Sequence, residues 1–286
     1  MRAVSESSGR GVEPRFAHYL WGHAPAWALA SDQRFAYYAY VPRDLPASTG
    51  PTPVIAVIHG TLRQAETCRN AFAELADQHR CVVVAPLFPC GLVEHQDTDN
   101  YKRLAYADIR FDLILLEMVA EVARRYDIDL GRLLLHGFSG GGQFAHRFFY
   151  LHPERLEAVS IAAPGAVTLL DHSRHWWVGT RDVKQIFGKD LDLDAMRGVR
   201  VATVIGGDDS GTDEITVPVT SQHWMPGAND AGGDRQQRLA ALREWLASAG
   251  IHAEHTIVPG VGHEGEALLP TVRAFFTRVL EERHAG

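Results

Sequence analysis

The chain is poor in cysteine, in long apolar runs and in clustered positive charge. Its 286 residues include three cysteines, Cys68, Cys81 and Cys90, with no CxxC pair. This excludes a disulfide framework and argues against a structural zinc site. No run of about 18 apolar residues occurs, so no membrane span and no membrane partner is expected. The 28 Lys and Arg are scattered and outnumbered by 35 Asp and Glu, so nucleic acid, which needs a basic patch, is not an expected partner either.

The beginning of the chain differs in character from the rest. Residues 1–14 are polar and predict a flexible tail, without the apolar run of a secretory signal. We therefore expect a cytoplasmic protein. Across the whole chain, 46% of the residues are hydrophobic and 22% are charged, which is enough to build a sizeable core. The remaining residues, 15–286, predict a single domain.

Apolar runs alternate with stretches of helical spacing. The runs predicted as strands are 35–42, 53–60, 81–88, 132–138, 158–165, 199–207 and 253–260. This alternation predicts an α/β fold with a mostly parallel sheet covered by helices on both faces, and with functional groups at the carboxyl ends of the strands. The clearest helical pattern is 105–126, with Ile109, Leu113, Leu116 and either Val119 or Ala120 facing inward. Residues 166–198 and 210–233 interrupt the rhythm, as a lid-like insertion and an irregular loop.

One serine lies in a cluster of glycines between a predicted strand and a predicted helix. The segment HGFSGGG contains G-x-S-x-G as Gly137, Ser139 and Gly141. A sharp strand-to-helix turn needs small neighbours and lifts the serine hydroxyl out of the sheet edge, so Ser139 is the candidate nucleophile. The simpler interpretation is a glycine turn without chemistry. A phosphate-binding loop is discounted because no G-x-x-x-x-G-K-[ST] occurs.

A serine nucleophile needs a histidine as general base, and in this architecture the order is serine, acid, histidine. His263 lies in VPGVGHEGE, between the last predicted strand and the last predicted helix, at the expected edge of the sheet. The rivals fit less well. His252 and His255 lie at the start of that strand and within it, and His284 lies near the end of the chain.

The acid is expected after the preceding strand, where Asp208 and Asp209 stand side by side. Asp209 stands three residues after Gly206, which is the usual spacing, and we favour it while keeping Asp208 open. The alternative for both is a solvated turn or a helix cap. The oxyanion that forms during acyl transfer is expected to bind the backbone amides of Thr61, which follows His59-Gly60, and of Gly140.

The segments GFSGGG, HGT, GGDD and GVGHEG resemble those of the α/β-hydrolase superfamily over roughly residues 53–283. Within it, the chain is similar to polyhydroxybutyrate depolymerase-like and feruloyl-type serine esterases, through DNYKRLAYADIRFDLILL and HGFSGGGQFAHRFFYLHPERLEAVSIAAPG. The resemblance implies an eight-stranded, mostly parallel sheet and a serine hydrolase mechanism without cofactor or metal. Where many of those enzymes carry alanine after the nucleophile, this chain carries Gly140.

The expected function is therefore hydrolysis of a small-molecule carboxylic ester through Ser139, His263 and Asp209. Related thioesterase, lactonase or amidase activities stay open, as does a ligand-binding protein without turnover. Association into a homo-oligomer also stays open. The candidate substrate pocket contains Phe138, Trp176, Trp177 and Trp224. The alternative for the tryptophans is that they pack the insertion onto the body.

Overall fold

A computed structural model describes residues 17–45 and 50–285, so the tail predicted over 1–14 lies outside the described residues. The strands are β1 (Gly22–His23), β2 (Trp27–Ala28), β3 (Ala36–Val41), β4 (Thr52–Ile58), β5 (Val82–Leu87), β6 (Ala105–Tyr106), β7 (Ile109–Arg110), β8 (Leu130–Phe138), β9 (Leu156–Ala162), β10 (Arg200–Gly206) and β11 (Ala253–Val258). The helices are α1 (Ala17–Leu20), α2 (Ala65–Asn70), α3 (Ala73–His79), α4 (Phe111–Tyr126), α5 (Gly140–Leu151), α6 (Val183–Phe187), α7 (Leu193–Arg197), α8 (Arg235–Ser248) and α9 (Gly265–Ala285). Two 3₁₀ turns span Asn100–Arg103 and Pro153–Arg155. No helix within the described range is both long and apolar enough to cross a membrane.

The main sheet has the order β1-β3-β5-β4-β8-β9-β10-β11, and β2 also pairs with β3. The short strands β1 and β2 share the edge of β3 that β5 leaves free, at residues 40–41 and 36–37. The sheet is therefore eight positions wide. β3 runs antiparallel to its neighbours, whereas β5, β4, β8, β9, β10 and β11 are mutually parallel. This confirms the predicted mostly parallel, eight-stranded sheet.

The core lies in two layers, one on each face of the sheet. Along β4, Val54, Ala56 and Ile58 belong to one buried cluster, which α4, α5 and α8 cover. Ile55 and Val57 belong to the other, which α3 and α9 cover. Because neighbouring side chains of a strand point to opposite faces, a strand covered on both sides has to be apolar at every position. This explains the uninterrupted apolar runs of the sequence.

The prediction of one helix over 105–126 is wrong at its beginning. β6 and β7 form a two-stranded hairpin there, and the helix begins at Phe111. Leu104 and Ala107 have positive φ, 67° and 52°, which interrupts helical geometry. The buried face of α4 then falls on Leu115, Met118 and Val122, whereas Leu113, predicted to face inward, is 47% exposed.

The two irregular segments differ in their content. Within 166–198 lie the short helices α6 and α7, and Trp176 packs edge-on against Phe187 of α6 with ring centroids 4.9 Å apart. Residues 210–233, all of them described, contain neither helix nor strand. Both segments lie in the connections that follow parallel strands, β9 and β10, and so border the carboxyl edge of the sheet. The lid role of 166–198 stays a prediction.

Candidate active site

The turn from β8 into α5 presents Ser139 at the edge of the sheet. Ser139 has φ 56° and ψ −113°, in the left-handed half of backbone space, and its amide donates to the carbonyl of Ala162 in β9. Gly137 and Gly141 flank it where there is no room for side chains, because a Cβ on Gly137 would overlap the carbonyl of Gly141. Strain at a functional residue persists only where its surroundings enforce it. Here the glycines and the bond to β9 do so.

His263 lies in the loop between β11 and α9, within hydrogen-bond distance of both predicted partners. Its Nε2 is 2.9 Å from Ser139 Oγ, and its Nδ1 is 2.7 Å from Asp209 Oδ2. A carboxylate only accepts hydrogen bonds, so Nδ1–H donates to Asp209 and Nε2 is left to accept from the serine hydroxyl. The ring of Phe138 packs against the imidazole with centroids 4.5 Å apart.

Asp209 follows β10 and is 2% exposed. Its second oxygen accepts a hydrogen bond from Arg235 Nη1 at 3.2 Å, so both carboxylate oxygens have partners. The neighbouring Asp208 is exposed at the side chain, and its amide donates to the carbonyl of Val261. Of the two adjacent carboxylates, the structure therefore brings Asp209 to the imidazole.

Thr61 and Gly140, the predicted oxyanion amides, lie near each other. The position of a Cβ on Gly140 is 3.4 Å from the Thr61 nitrogen. Gly140 is the first residue of α5, where amides have no acceptor within the helix. The loop that carries Thr61 is fixed by His59, whose Nε2 accepts from the Phe88 amide at 3.0 Å. Burial lowers the pKa of His59 to about 4, which keeps the ring neutral for this contact.

The predicted pocket tryptophans are distributed over different surroundings. Trp177 is 5% exposed and donates from its indole to the carbonyl of His223 at 3.2 Å. Trp176 donates to the carbonyl of Arg103 at 3.1 Å. Trp224 is 41% exposed. Trp176 thus ties the insertion to Arg103 and Trp177 ties it to the irregular loop 210–233, whereas the ring of Trp224 is partly exposed.

Sequence reasoning missed the group of residues 99–103 beside Gly140. Tyr101 donates to the carbonyl of His59 at 2.9 Å, and its hydroxyl lies 2.5 Å from the position of a Cβ on Gly140. Lys102 is buried and pairs with Asp99 at 2.5 Å. These residues begin the segment DNYKRLAYADIRFDLILL, which carries part of the resemblance, but nothing in the sequence said that the loop folds back beside Gly140.

The residues present offer no metal centre within the described ranges. No group of three or more His, Cys, Asp or Glu side chains lies close enough together there to hold a metal ion.

This combination of sheet, covering helices and strand-to-helix elbow is the α/β-hydrolase fold. Poly(3-hydroxybutyrate) depolymerase LpqC from Bordetella parapertussis superimposes with a TM-score of 0.66 at 24% identity, over 85% of this chain and 84% of that chain. A ferulic acid esterase gives 0.58 at 15% identity, over 90% and 97%. S-formylglutathione hydrolase from Agrobacterium tumefaciens gives 0.55 at 17% identity, over 86% and 89%. No family model and no curated protein matches the sequence.

Proposed function

We propose that the protein is a serine hydrolase that cleaves carboxylic esters by acyl transfer. The observation that carries the proposal is the unbroken hydrogen-bonded chain from Ser139 through His263 to the buried Asp209. A hydroxyl, an imidazole and a carboxylate in this order form the arrangement that activates a serine. Structures described as a depolymerase, an esterase and an S-formylglutathione hydrolase share the fold and support acyl transfer.

In the acylation step, Ser139 Oγ attacks the ester carbonyl while its proton passes to His263 Nε2. The distance of 2.9 Å between these atoms suits direct transfer. The imidazole becomes positively charged, and the carboxylate of Asp209 stabilises it through Nδ1 at 2.7 Å. His263 then returns the proton to the leaving alcohol, and an acyl-serine remains.

The oxyanion of the tetrahedral intermediate is assigned to the amides of Thr61 and Gly140. Thr61 lies in the loop between β4 and α2, and Gly140 is the first residue of α5. The N-terminus of α5 adds its partial positive charge. Donors fixed before the reaction stabilise developing charge most effectively, because they need no reorganisation. Neutral His59 holds the loop of Thr61 in place.

In the deacylation step, the same groups act in the reverse direction. Water takes the place of the alcohol, gives a proton to His263 Nε2 and attacks the acyl carbonyl. The second tetrahedral intermediate occupies the same amides and collapses to the free acid and Ser139. Each cycle consumes one water and one ester and restores the starting protonation state.

The test is a series of p-nitrophenyl esters from acetate to decanoate, with a thioester, a lactone and an anilide of matched acyl group. We expect Ser139→Ala to lower kcat by roughly 10⁴-fold or more, because the nucleophile is lost. Ser248→Ala is the matched control, since Ser248 lies at the end of α8 and its hydroxyl donates to the carbonyl of Trp245.

Labelling with a fluorophosphonate separates an enzyme from a binding protein of the same fold. Stoichiometric labelling of Ser139 together with ester turnover supports the proposal. Labelling without turnover of any substrate in the series would favour the ligand-binding alternative. Undiminished turnover by Ser139→Ala would show that another residue is the nucleophile.

A further inference from the structure

Two guanidinium groups lie against one indole beside the candidate active site. The Cζ of Arg103 is 5.1 Å from the ring centroid of Trp177, and the Cζ of Arg147 is 5.7 Å from it. Neither arginine forms an ion pair with a carboxylate within the described residues, 17–45 and 50–285. Two cations share one aromatic surface, and no anion of the described chain neutralises them directly.

Arg147 is fully buried, and its hydrogen bonds are incomplete. Its Nε donates to Thr168 Oγ1 at 2.8 Å and its Nη1 to the carbonyl of Lys102 at 2.6 Å, and both acceptors are neutral. Nη2 is buried with no acceptor among the described groups. Burial, and next the charge of Arg103, lower the pKa of Arg147, so the pair is electrostatically unfavourable as it stands.

Arg103 is the more accessible of the two. Its side chain is only partly buried, yet its Nε is enclosed without an acceptor, and the guanidinium donates to none of the described residues. A guanidinium held over an aromatic ring by a cation–π contact keeps its planar N–H donors for a carboxylate or phosphate. The predicted pocket residue Trp177 thus lies against an arginine, and its place in a substrate pocket stays a prediction.

Residues that adjoin this cationic pair lie close to the nucleophile. Lys102 Cε is 2.9 Å from the position of a Cβ on Gly140, and Gln143, one turn along α5 from Ser139, approaches Arg147 Nη1 at 3.5 Å. The absence of a side chain at Gly140 is what allows the loop that carries Arg103 to approach so closely.

The nearby carboxylates form no ion pair with the arginines. Burial lowers the pKa of Arg103, and the charges of Asp99 and Asp97 offset part of that effect. Asp99 is engaged by Lys102 at 2.5 Å. Asp97 is buried, and burial raises its pKa.

We propose that Arg103, supported by Arg147 and Trp177, binds a carboxylate of the substrate, so that the enzyme selects esters that also carry a free acid group. This rests on the proposed ester hydrolysis. Arg103 supplies the direct contact because it is the partly exposed member of the pair. Arg147 adds a second positive charge beside the same indole.

The first experiment compares charged and uncharged substrates of the same shape. Half-methyl esters of succinate, glutarate and adipate are each paired with the corresponding carboxamide, and 4-acetoxybenzoate is paired with 4-acetoxybenzamide to place the acid on the alcohol side. We expect kcat/KM to favour at least one acid over its amide by about tenfold or more, the effect of a charged hydrogen bond. The preference should shrink near 1 M salt, where the Debye length is about 3 Å.

The second experiment removes the charge. In Arg103→Gln we expect the acid-to-amide ratio of kcat/KM to fall to about one, mainly through a higher KM for the acid, and Arg103→Lys should restore part of it. Arg132→Gln is the control, because Arg132 is exposed at the other end of β8 and carries the same charge. A purely structural role for Arg103 would lower both rates together and leave the ratio unchanged, which would overturn the proposal.

A binding measurement keeps this test separate from the proposed function. Calorimetric titration of Ser139→Ala with glutarate and adipate should show an affinity that the Ser139→Ala, Arg103→Gln double variant lacks. Equal rates for both members of every pair, with Ser139-dependent turnover intact, would refute acid recognition but not ester hydrolysis. Absence of Ser139-dependent turnover with acid binding intact would refute the hydrolysis alone.

Discussion

Two adjacent carboxylates after β10 differ in their burial and in their hydrogen-bond partners. Asp209 is buried and contacts both His263 and Arg235, whereas Asp208 is exposed. A buried carboxylate holds the imidazole more effectively than an exposed one, because water neither screens the charge nor competes for the hydrogen bond. The two residues therefore form a matched pair for a test at the level of single side chains.

We expect Asp209→Asn to lower kcat by roughly 10³- to 10⁴-fold, because an amide no longer fixes the tautomer or stabilises the charged imidazole. Asp208→Asn should stay within about twofold of the parent enzyme, as an exposed surface change does. The measurement is kcat on a short p-nitrophenyl ester for both variants. An equal loss of kcat in both variants would contradict the assignment of the triad acid to Asp209.

Sequence alone reached Ser139, His263 and Asp209 because each follows a parallel strand, and parallel strands end at one edge. Their catalytic role stays a prediction, but the structure brings the three within hydrogen-bond distance. Arg103 and Lys102 were not found, because they come from a loop whose path depends on long-range packing. No local sequence pattern encodes that path. That Gly140 leaves room for Tyr101 and Lys102 is therefore visible only in the structure.

At the level of elements, α4 shows how a helix boundary changes which side chains are buried. The hairpin β6–β7 uses residues 105–110, and Ile109 is buried there rather than in the helix. The helical period then selects Leu115, Met118 and Val122 in place of Leu113 and Leu116. The apolar period predicted that a helix occurs here, but it did not predict that the helix begins at Phe111. Leucine and alanine rarely adopt positive φ, so nothing in the sequence indicated this conformation at Leu104 and Ala107.

Two leucines of this helix, two positions apart, test the corrected face. Leu115→Ala should lower the free energy of unfolding by about 2–5 kcal/mol, because it leaves a cavity in the core. Leu113→Ala should change it by about 0.5 kcal/mol or less, since Leu113 is 47% exposed. Urea denaturation measures the free energy of unfolding of both variants. A larger effect at Leu113 would restore the sequence-based assignment of the helix face.

For the whole molecule, three buried histidines couple stability to pH. Burial lowers the pKa of His59 and His136 to about 4 and that of His146 well below its ordinary value. In the unfolded chain the pKa of these imidazoles is about 6.5. The unfolded state therefore binds more protons between these values, and stability present above about pH 6.5 is lost as the pH falls toward about 4.

We expect the unfolding free energy of the parent protein to fall steadily between pH 6.5 and pH 4.5. His136→Gln should reduce the slope by at most about 1.4 kcal/mol per pH unit, the equivalent of one proton. Exposed His95 provides the control, and His95→Gln should leave the slope unchanged. Chemical denaturation at a series of pH values measures it, and an unaltered slope in His136→Gln would mean that this ring is protonated when folded.

The overall architecture was the most predictable level, because an eight-position sheet covered on both faces needs continuous apolar strands. The candidate catalytic residues and the residues proposed to select the substrate also come from different connections of the sheet. Ser139, Asp209 and His263 follow β8, β10 and β11, whereas Arg103 and Trp177 belong to the connections after β5 and β9. Under the two proposals above, the reacting groups and the selecting groups thus come from separate stretches of sequence. Exchanging residues 166–198 between related proteins is then a route to new substrate preferences, whereas an exchange that includes Tyr101 would also disturb its hydrogen bond to the carbonyl of His59.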